Sequence, residues 1–430
     1  MRAAIPVRFR ILGVLFALSF ANYLLRNNLS VALPSIREEF HFSTTELGWI
    51  LGSFNVAYTV FQIPGGMFGD AYGPRRALAI AAVAWGVLTA ATGFVPGVMV
   101  ASATGALIGL MATRALMGVA NAPMFPVAAG AFANWFPVAG WAFPNAVLSS
   151  GLTLGQAVLG PVVTTLIVSF GWRASFYVLA PVGIVAGLWW WSYGRDNPRE
   201  HKATTPEEIA LIEAGRAAPP SGPAASWLRV LLQRDILLLA ASYFCMNYVF
   251  YIFSQWLFTY LVEERHFSLL ESGWLYALPF IVGAVLAAAG GVVCDRTCRW
   301  LGPRWGCRLP GIFGLVMVAG LLLVGARSSN PVTAVLLLSL CFGFTQFTEG
   351  AYWQGTTLSA GPHTATATGV LNTGGNLAGF LAPLVGLVVD NLGWLPALAT
   401  GSGFALCGAL LWAFVGRDWA GATPVARAAA

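Results

Sequence analysis

The sequence predicts an all-α membrane fold, twelve spanning helices in two related six-helix halves with both termini in the cytoplasm, and three observations predict it. The first is composition. Of 430 residues, 57% are hydrophobic and 9% are charged, whereas soluble domains carry roughly 25% charged residues. Charge-free runs long enough to cross a bilayer, about 20 residues, recur at 47–69, 174–194, 236–262 and 391–416. The second is the sidedness of charge. With both termini inside, 17 of the 23 Lys and Arg residues fall in cytoplasmic segments and only Arg37, Arg173, Arg265 and Arg327 on the opposite side, as the positive-inside rule requires. This distribution accounts for the net charge of +6 without nucleic acid. The third is an internal repeat. Residues 38–49, EEFHFSTTELGW, match residues 263–274, EERHFSLLESGW, at eight of twelve positions with an offset of 225.

Gly, Pro and charge clusters divide the chain into spans near 11–33, 47–69, 77–95, 100–131, 145–168 and 174–193, then 236–261, 273–293, 310–326, 332–358, 368–389 and 394–416. The charge-free stretch 115–172 exceeds one crossing and needs a turn, placed near Asn134-Trp135-Phe136-Pro137. The first span reads as a true span rather than a cleaved leader, because it carries Asn22, Arg26, Asn27 and Asn28. The halves are residues 1–194 and 235–430. The connecting loop 195–234 is too short and too rich in Pro, Ala and Gly to bury a core of its own. The offset that relates the halves also carries Asn22-Tyr23 onto Asn247-Tyr248, Gly65-Gly66 onto Gly290-Gly291 and Asp70 onto Asp295.

Few polar residues lie inside spans, so each stands out. A guanidinium in a span costs at least about 2.5 kcal/mol on insertion scales and normally faces a cavity or a partner; its planar fork suits a carboxylate or phosphate. Arg26 is therefore the leading candidate for anion binding, with an ion pair to Glu349 as the structural alternative. Helical spacing puts Asn22, Tyr23 and Arg26 on one face, and Asn55, Tyr58 and Gln62 on another. Glu349 is the one carboxylate placed deep in a span, where an anion at Arg26 would free it to take up a proton. Asn372 and Asn376, four apart, read equally as ligand-binding or helix-packing residues. In the fifth span Gly151, Gly155, Gly160 and Pro161 allow close packing and sliding, and Gly66 and Gly291 allow tight approach near the loops. No metal or cofactor site is expected. Cys294, Cys298 and Cys307 share one cytoplasmic loop where thiols stay reduced, and no histidine joins them.

An embedded enzyme is disfavoured. His41, His201, His266 and His363 all sit in loops or at span ends, and neither a Gly-x-Ser-x-Gly turn nor a His-Glu-x-x-His helix occurs. A sensor that binds without moving its ligand would usually add a soluble signalling domain, and the sequence shows none.

The loop Gly66-Met67-Phe68-Gly69-Asp70-Ala71-Tyr72-Gly73-Pro74-Arg75-Arg76, with Arg114-x-x-x-Gly118 in the fourth span, resembles the signature of the major facilitator superfamily, with Ala71 in place of a basic residue. Parallel halves with a site between them near the midplane are the architecture of that superfamily. Within it, four further stretches make the chain similar to the anion:cation symporter family of sugar-acid permeases and vesicular or lysosomal organic-anion carriers. They are Asn22 to Ala32, Ala122-Pro123-Met124-Phe125-Pro126, Trp256 to Leu261, and Glu349-Gly350-Ala351-Tyr352-Trp353. The resemblance covers essentially the whole chain. It implies a monomeric, cofactor-free, multi-pass protein of a bacterial-type inner membrane that moves a small organic anion, with a co-transported proton, by alternating access. Exchange or uniport is the alternative.

The resemblance assigns Arg26, Tyr23, Tyr58 and Trp353 to substrate and Arg114 to a structural or relay role; Asn22, Asn121, Tyr251, Asn372 and Asn376 complete the candidate substrate residues. Asp70, Arg75, Arg76, Asp295 and Arg296 become a cytoplasmic latch, in which an acidic side chain pairs with basic neighbours or a helix N-terminus. The chain departs from the sugar-acid permeases at Leu25, Asn121 and Leu152, which stand where those proteins carry Asp, Glu and Gln. With both of the carboxylates usually tied to protons missing, Glu349 is the only deep carboxylate left to carry one.

Overall fold

The computed structural model describes residues 5–95, 102–137, 142–213, 232–360 and 364–416. Arg2, Arg216, Arg229, His363, Arg417 and Arg427 lie outside them. The described chain is helical. Helices α1 (Val7–Phe40), α2 (Thr44–Phe94), α3 (Ala103–Asn121), α4 (Met124–Trp135), α5 (Ala142–Phe170) and α6 (Trp172–Tyr193) are followed by a short helix α7 (Pro206–Glu213). Then come α8 (Arg234–Tyr251), a π-helical turn at Ile252–Trp256, α9 (Leu257–Glu263), α10 (Leu269–Arg327), α11 (Pro331–Phe347) and α12 (Glu349–Ala360). The chain closes with α13 (Thr364–Leu377), a 3-10 turn at Ala378–Leu381, α14 (Ala382–Leu392) and α15 (Trp394–Trp412). Among the described residues ten helical stretches, several of them joining two of these helices, are long and apolar enough to cross a membrane. The expected turn at Asn134–Pro137 is present, since α4 ends at Trp135 and Phe136 is extended.

Helices α2 and α10 run for 51 and 59 residues. At about 1.5 Å per residue each exceeds the roughly 30 Å of a bilayer core at least twofold. Each is interrupted by one glycine in a conformation closed to L-residues, Gly73 (φ 77°) and Gly302 (φ 78°).

Contacts group the chain into two compact units. The first comprises Met1–Phe42, Trp49–Ser221 and Ser268–Ala277; the second comprises Ser43–Gly48, Gly222–Phe267 and Leu278–Ala430. The repeated dodecamer now has a physical explanation. His41 caps α1 and His266 lies in the turn after α9, both in the left-handed region, at φ 57° and 56°. Ser43 and Ser268 start the next helix, each exchanging hydrogen bonds with the glutamate three residues on, Glu46 and Glu271. Gly48 and Gly273 sit against neighbouring backbone, where a Cβ would fall 2.6 Å from Pro383 Cα and 2.9 Å from Gly160 O respectively.

Close helix packing falls partly where the sequence puts it. Cβ atoms at Gly151 and Gly155 would meet the Phe16 and Phe20 carbonyls of α1 at 2.7 and 2.6 Å, so both glycines let α5 approach α1. Near the loops, however, the crowded residues are Gly65 and Gly290, against Pro123 and Phe347, while Gly66 meets only Pro126 at 3.6 Å and a Cβ on Gly291 would meet nothing within 4 Å. One residue is about 100° around a helix, which turns Gly66 and Gly291 off the packed face. The described part of the connecting loop, 195–213, is more structured than its composition implies: Glu208 of α7 is buried and accepts the backbone N–H groups of Val7 and Arg8 at 3.1 and 3.0 Å. That carboxylate caps α1, satisfying N–H groups that no turn of the helix can reach and opposing its dipole.

Candidate functional site

In the first unit the candidate residues gather around Arg26, which is 6% exposed in the middle of α1. Its guanidinium lies over three aromatic faces, Phe54 and Tyr58 at 4.6 Å and Tyr23 at 5.2 Å. The rings' negative faces stabilise a cation that has left water. Phe54 and Tyr58 are one helical turn apart on α2 and stack on each other at 5.7 Å. Behind them, the buried Arg114 of α3 donates through Nη2 to the Arg26 carbonyl at 2.6 Å and lies over the same Phe54 ring at 5.0 Å. Two guanidiniums thus share one ring. They repel each other, and an anion beside them relieves that repulsion in a medium where charge is poorly screened.

Asn22 and Asn121 face one another, with Asn22 Nδ2 donating to Asn121 Oδ1 while Asn121 Nδ2 is held by the Met117 carbonyl. The pair ties α1 to the end of α3. Leu25 turns away from this cluster and packs on α6, its Cδ1 lying 2.7 Å from where a Cβ on Gly183 would be. Of the α2 polar face, Asn55 donates to the Leu51 carbonyl at 3.3 Å, and Gln62 is buried.

In the second unit the centre is Glu349, the first residue of α12. Its carboxylate accepts from Trp353 Nε1 at 2.8 Å and from the Tyr243 hydroxyl at 3.2 and 3.3 Å. Both donors are neutral, so they hold the carboxylate without fixing it as an anion in the way a guanidinium would. Trp353 is 40% exposed and packs edge-on against Tyr243, which also packs on Tyr352 at 4.9 Å. Tyr352 is held by Ser242 at 2.7 Å, itself bonded to the Gly408 carbonyl. Gly375 makes room for this group: a Cβ there would lie 2.6 Å from the Tyr243 ring.

About two turns along α8 from Tyr243, the Tyr251 hydroxyl donates to Asn376 Oδ1 at 3.0 Å, just before the π-helical turn at Ile252–Trp256. Such turns often mark functional positions. Asn376 is therefore the asparagine brought to Tyr251, whereas Asn372 is half-buried a turn away.

The expected latch differs from its sequence reading. The carboxylate that meets Arg75 is Asp196, which accepts its backbone N–H at 2.7 Å, while Arg75 Nε donates to the Trp191 carbonyl at 2.9 Å. Gly73 is what admits Asp196, since a Cβ there would fall 2.7 Å from the carboxylate. Asp70, Arg76, Asp295 and Arg296 are exposed and form no ion pair among the described residues.

Sequence reasoning missed Phe54, Tyr243, Asp196 and Glu208. Helical spacing held a signal for two of them: Phe54 lies four before Tyr58, and Tyr243 begins a stripe with Asn247 and Tyr251. The other two act by capping a distant helix, which no local pattern records.

A family model described as Major Facilitator Superfamily matches residues 15–383. A probable sulfoacetate transporter of Cupriavidus necator is 33% identical over 416 residues, covering 94% of this chain and 92% of the relative. A hexuronate transporter of Bacillus subtilis is 30% identical over 392 residues, covering 88% and 87%. Among solved structures, a bacterial homolog of the human lysosomal transporter Spinster, inward-facing and occupied, superposes with a TM-score of 0.76 at 16% identity, covering 95% of this chain and 97% of that one. A D-xylose-proton symporter gives 0.75 at 12% identity, covering 95% and 98%; at such identities the likeness is of fold. The protein is a multi-pass membrane transporter, not an enzyme, and the chain belongs to the Major Facilitator Superfamily.

Proposed function

We propose that the protein carries a small organic anion, bearing a carboxylate or sulfonate, across the membrane by alternating access together with a proton. The observation that carries the reading is the Arg26 cluster: a buried guanidinium caged by Phe54, Tyr58 and Tyr23 and doubled by Arg114. Relatives named for sulfoacetate and hexuronate support the anionic cargo. Tyr23, Tyr58, Asn22 and Asn121 line the anion's side in the first unit; Tyr251, Trp353, Asn372 and Asn376 contribute polar and aromatic contacts in the second. Glu349 is the proton carrier, because its partners are neutral and its protonation adds no buried charge.

In this reading α2 and α10 each cross the bilayer twice, hinged at Gly73 and Gly302, which gives twelve spans, cytoplasmic termini and a monomer in a bacterial inner membrane. Asp70, Arg75, Arg76, Asp295 and Arg296 belong to the cytoplasmic gate, joined by Asp196. Exchange of one anion for another is the second reading. Leu25 and Asn121 favour it, since neither position can titrate and both are taken up by packing or amide pairing.

The test is uptake of labelled sulfoacetate or a hexuronate into proteoliposomes. Accumulation driven by an inward proton gradient is expected. Uptake that responds only to trans anion would establish exchange, and no flux of any carboxylate or sulfonate would contradict the proposal.

A further inference from the structure

Cys294, Cys298 and Cys307 take no part in the transport chemistry, yet the fold brings them together. Cys294 and Cys298 are four apart on one face of α10, and the break at Gly302 folds the chain back so that Cys307 returns over them. All three Sγ atoms lie within 4.8 Å of one another, with Cys298 and Cys307 at 3.5 Å. The return depends on Gly306, where a Cβ would fall 2.6 Å from Cys298 Sγ. Thr297 Oγ1 fixes the same turn by donating to the Gly306 carbonyl at 2.7 Å. Cys294 and Cys307 are 1% and 0% exposed, while Cys298 is only partly buried and gives access.

We propose that these thiols form a three-thiolate site for one thiophilic d10 metal ion, Cu(I) or Zn(II). Three sulfurs at about 2.3 Å from a common ion are about 3.8–4.0 Å apart, inside the observed spread. Zn(II) prefers a fourth ligand, and Gln354 Oε1 lies 3.0 Å from Cys294 Sγ; Cu(I) is satisfied by soft sulfur donors alone. Thiolates bind with loss of their protons, and Arg296, Arg299, Arg304 and Arg308 in the same segment offset the negative charge that results, against the single opposing Asp295. Gln354 and Glu349 sit on the same helix, and Cys294 and Cys307 share a core with Tyr243 and Tyr352. The ion therefore clips the turn of α10 to the helix that carries Glu349.

The experiment uses the full-length protein, purified reduced and stripped with a chelator. Titration with Cd(II) should raise a thiolate-to-metal charge-transfer absorption that saturates at one ion per chain. Displacement by Zn(II) or by Cu(I) identifies the preferred ion. Cys298→Ser should weaken binding roughly tenfold or more. In the wild type, independently of any variant, the bound ion should slow alkylation of Cys298 by a comparable factor. A Cys298→Ser protein that binds as the wild type does, or absorption that never saturates, would overturn the site. So would a Cys298–Cys307 disulfide in freshly purified protein, or unchanged alkylation with the ion present.

Discussion

At positions related by the 225-residue offset, the two halves keep their scaffold and exchange their chemistry. His41 and His266 share one backbone conformation, and Ser43–Glu46 and Ser268–Glu271 form the same capping exchange. Inside the spans, Arg26 corresponds to Tyr251 and Met124 to Glu349. The first half thus holds buried positive charge, with Arg114 behind Arg26, and the second holds the carboxylate among neutral donors. Helix ends tolerate little variation because their unsatisfied backbone groups must be met in one geometry. Interior positions facing a ligand are free to diverge, and in the proposed function that freedom divides the labour between anion and proton.

The strongest way to break this comparison is at Arg26. Arg26→Ala should abolish uptake of the anion, and Arg26→Lys should restore little of it, because an ammonium reproduces neither the bidentate fork nor the stacking over Phe54 and Tyr58. Flux in proteoliposomes at matched protein density checks both. Glu349→Gln, tested in the same vesicles, should keep anion exchange while losing accumulation driven by a pH gradient. Loss of both functions would return Glu349 to a structural part in the Tyr243–Trp353 group.

Tyr251→Phe sharpens the comparison at the position matching Arg26. It removes one neutral hydrogen bond, to Asn376, so affinity measured by thermal shift should fall by about fivefold, equivalent to about 1 kcal/mol, rather than vanish. Glu208→Gln leaves the anion site intact but weakens the cap on α1. A lower Tm, reflecting about 1 kcal/mol, is expected with unchanged substrate affinity.

The smallest effect concerns His201, which packs edge-on against Tyr193 and Trp135 at 4.9 and 6.0 Å. Burial first, then Arg195 and Arg10, holds its pKa below the ordinary 6.5, with Glu208 opposing. The unfolded chain therefore takes up the proton before the folded one as pH falls, so stability contributed here is full above 6.5 and declines below it. Limited proteolysis at α7 should quicken between pH 7.5 and 5.5, and His201→Gln should flatten that response.

Much of this was legible in the chain because membranes impose simple rules. Spans must be apolar, loops carry sided charge, and a charged side chain in a span stands out, as Arg26 and Glu349 do in the sequence. The glycines of α5 were legible for the same reason, since small residues at helical spacing have few other uses there. What escaped depended on rotation or on distance. Gly65 rather than Gly66 takes the close approach because a hundred degrees of helix cannot be read from adjacency. Asp196 at Arg75 and Glu208 at Val7 lie 121 and 201 residues from the groups they cap. The ring of Phe54 under two arginines was hidden by its ordinary hydrophobic identity.

The central claim, that the first half holds the anion and the second the proton, is tested most directly by proton uptake on binding. Purified protein in weakly buffered detergent solution near neutral pH is titrated with sulfoacetate while pH is recorded. The wild type should take up a proton as the anion binds, and Glu349→Gln should bind the anion with no pH change. Equal proton uptake by the Glu349→Gln protein, or none by the wild type at saturating anion, would contradict the account.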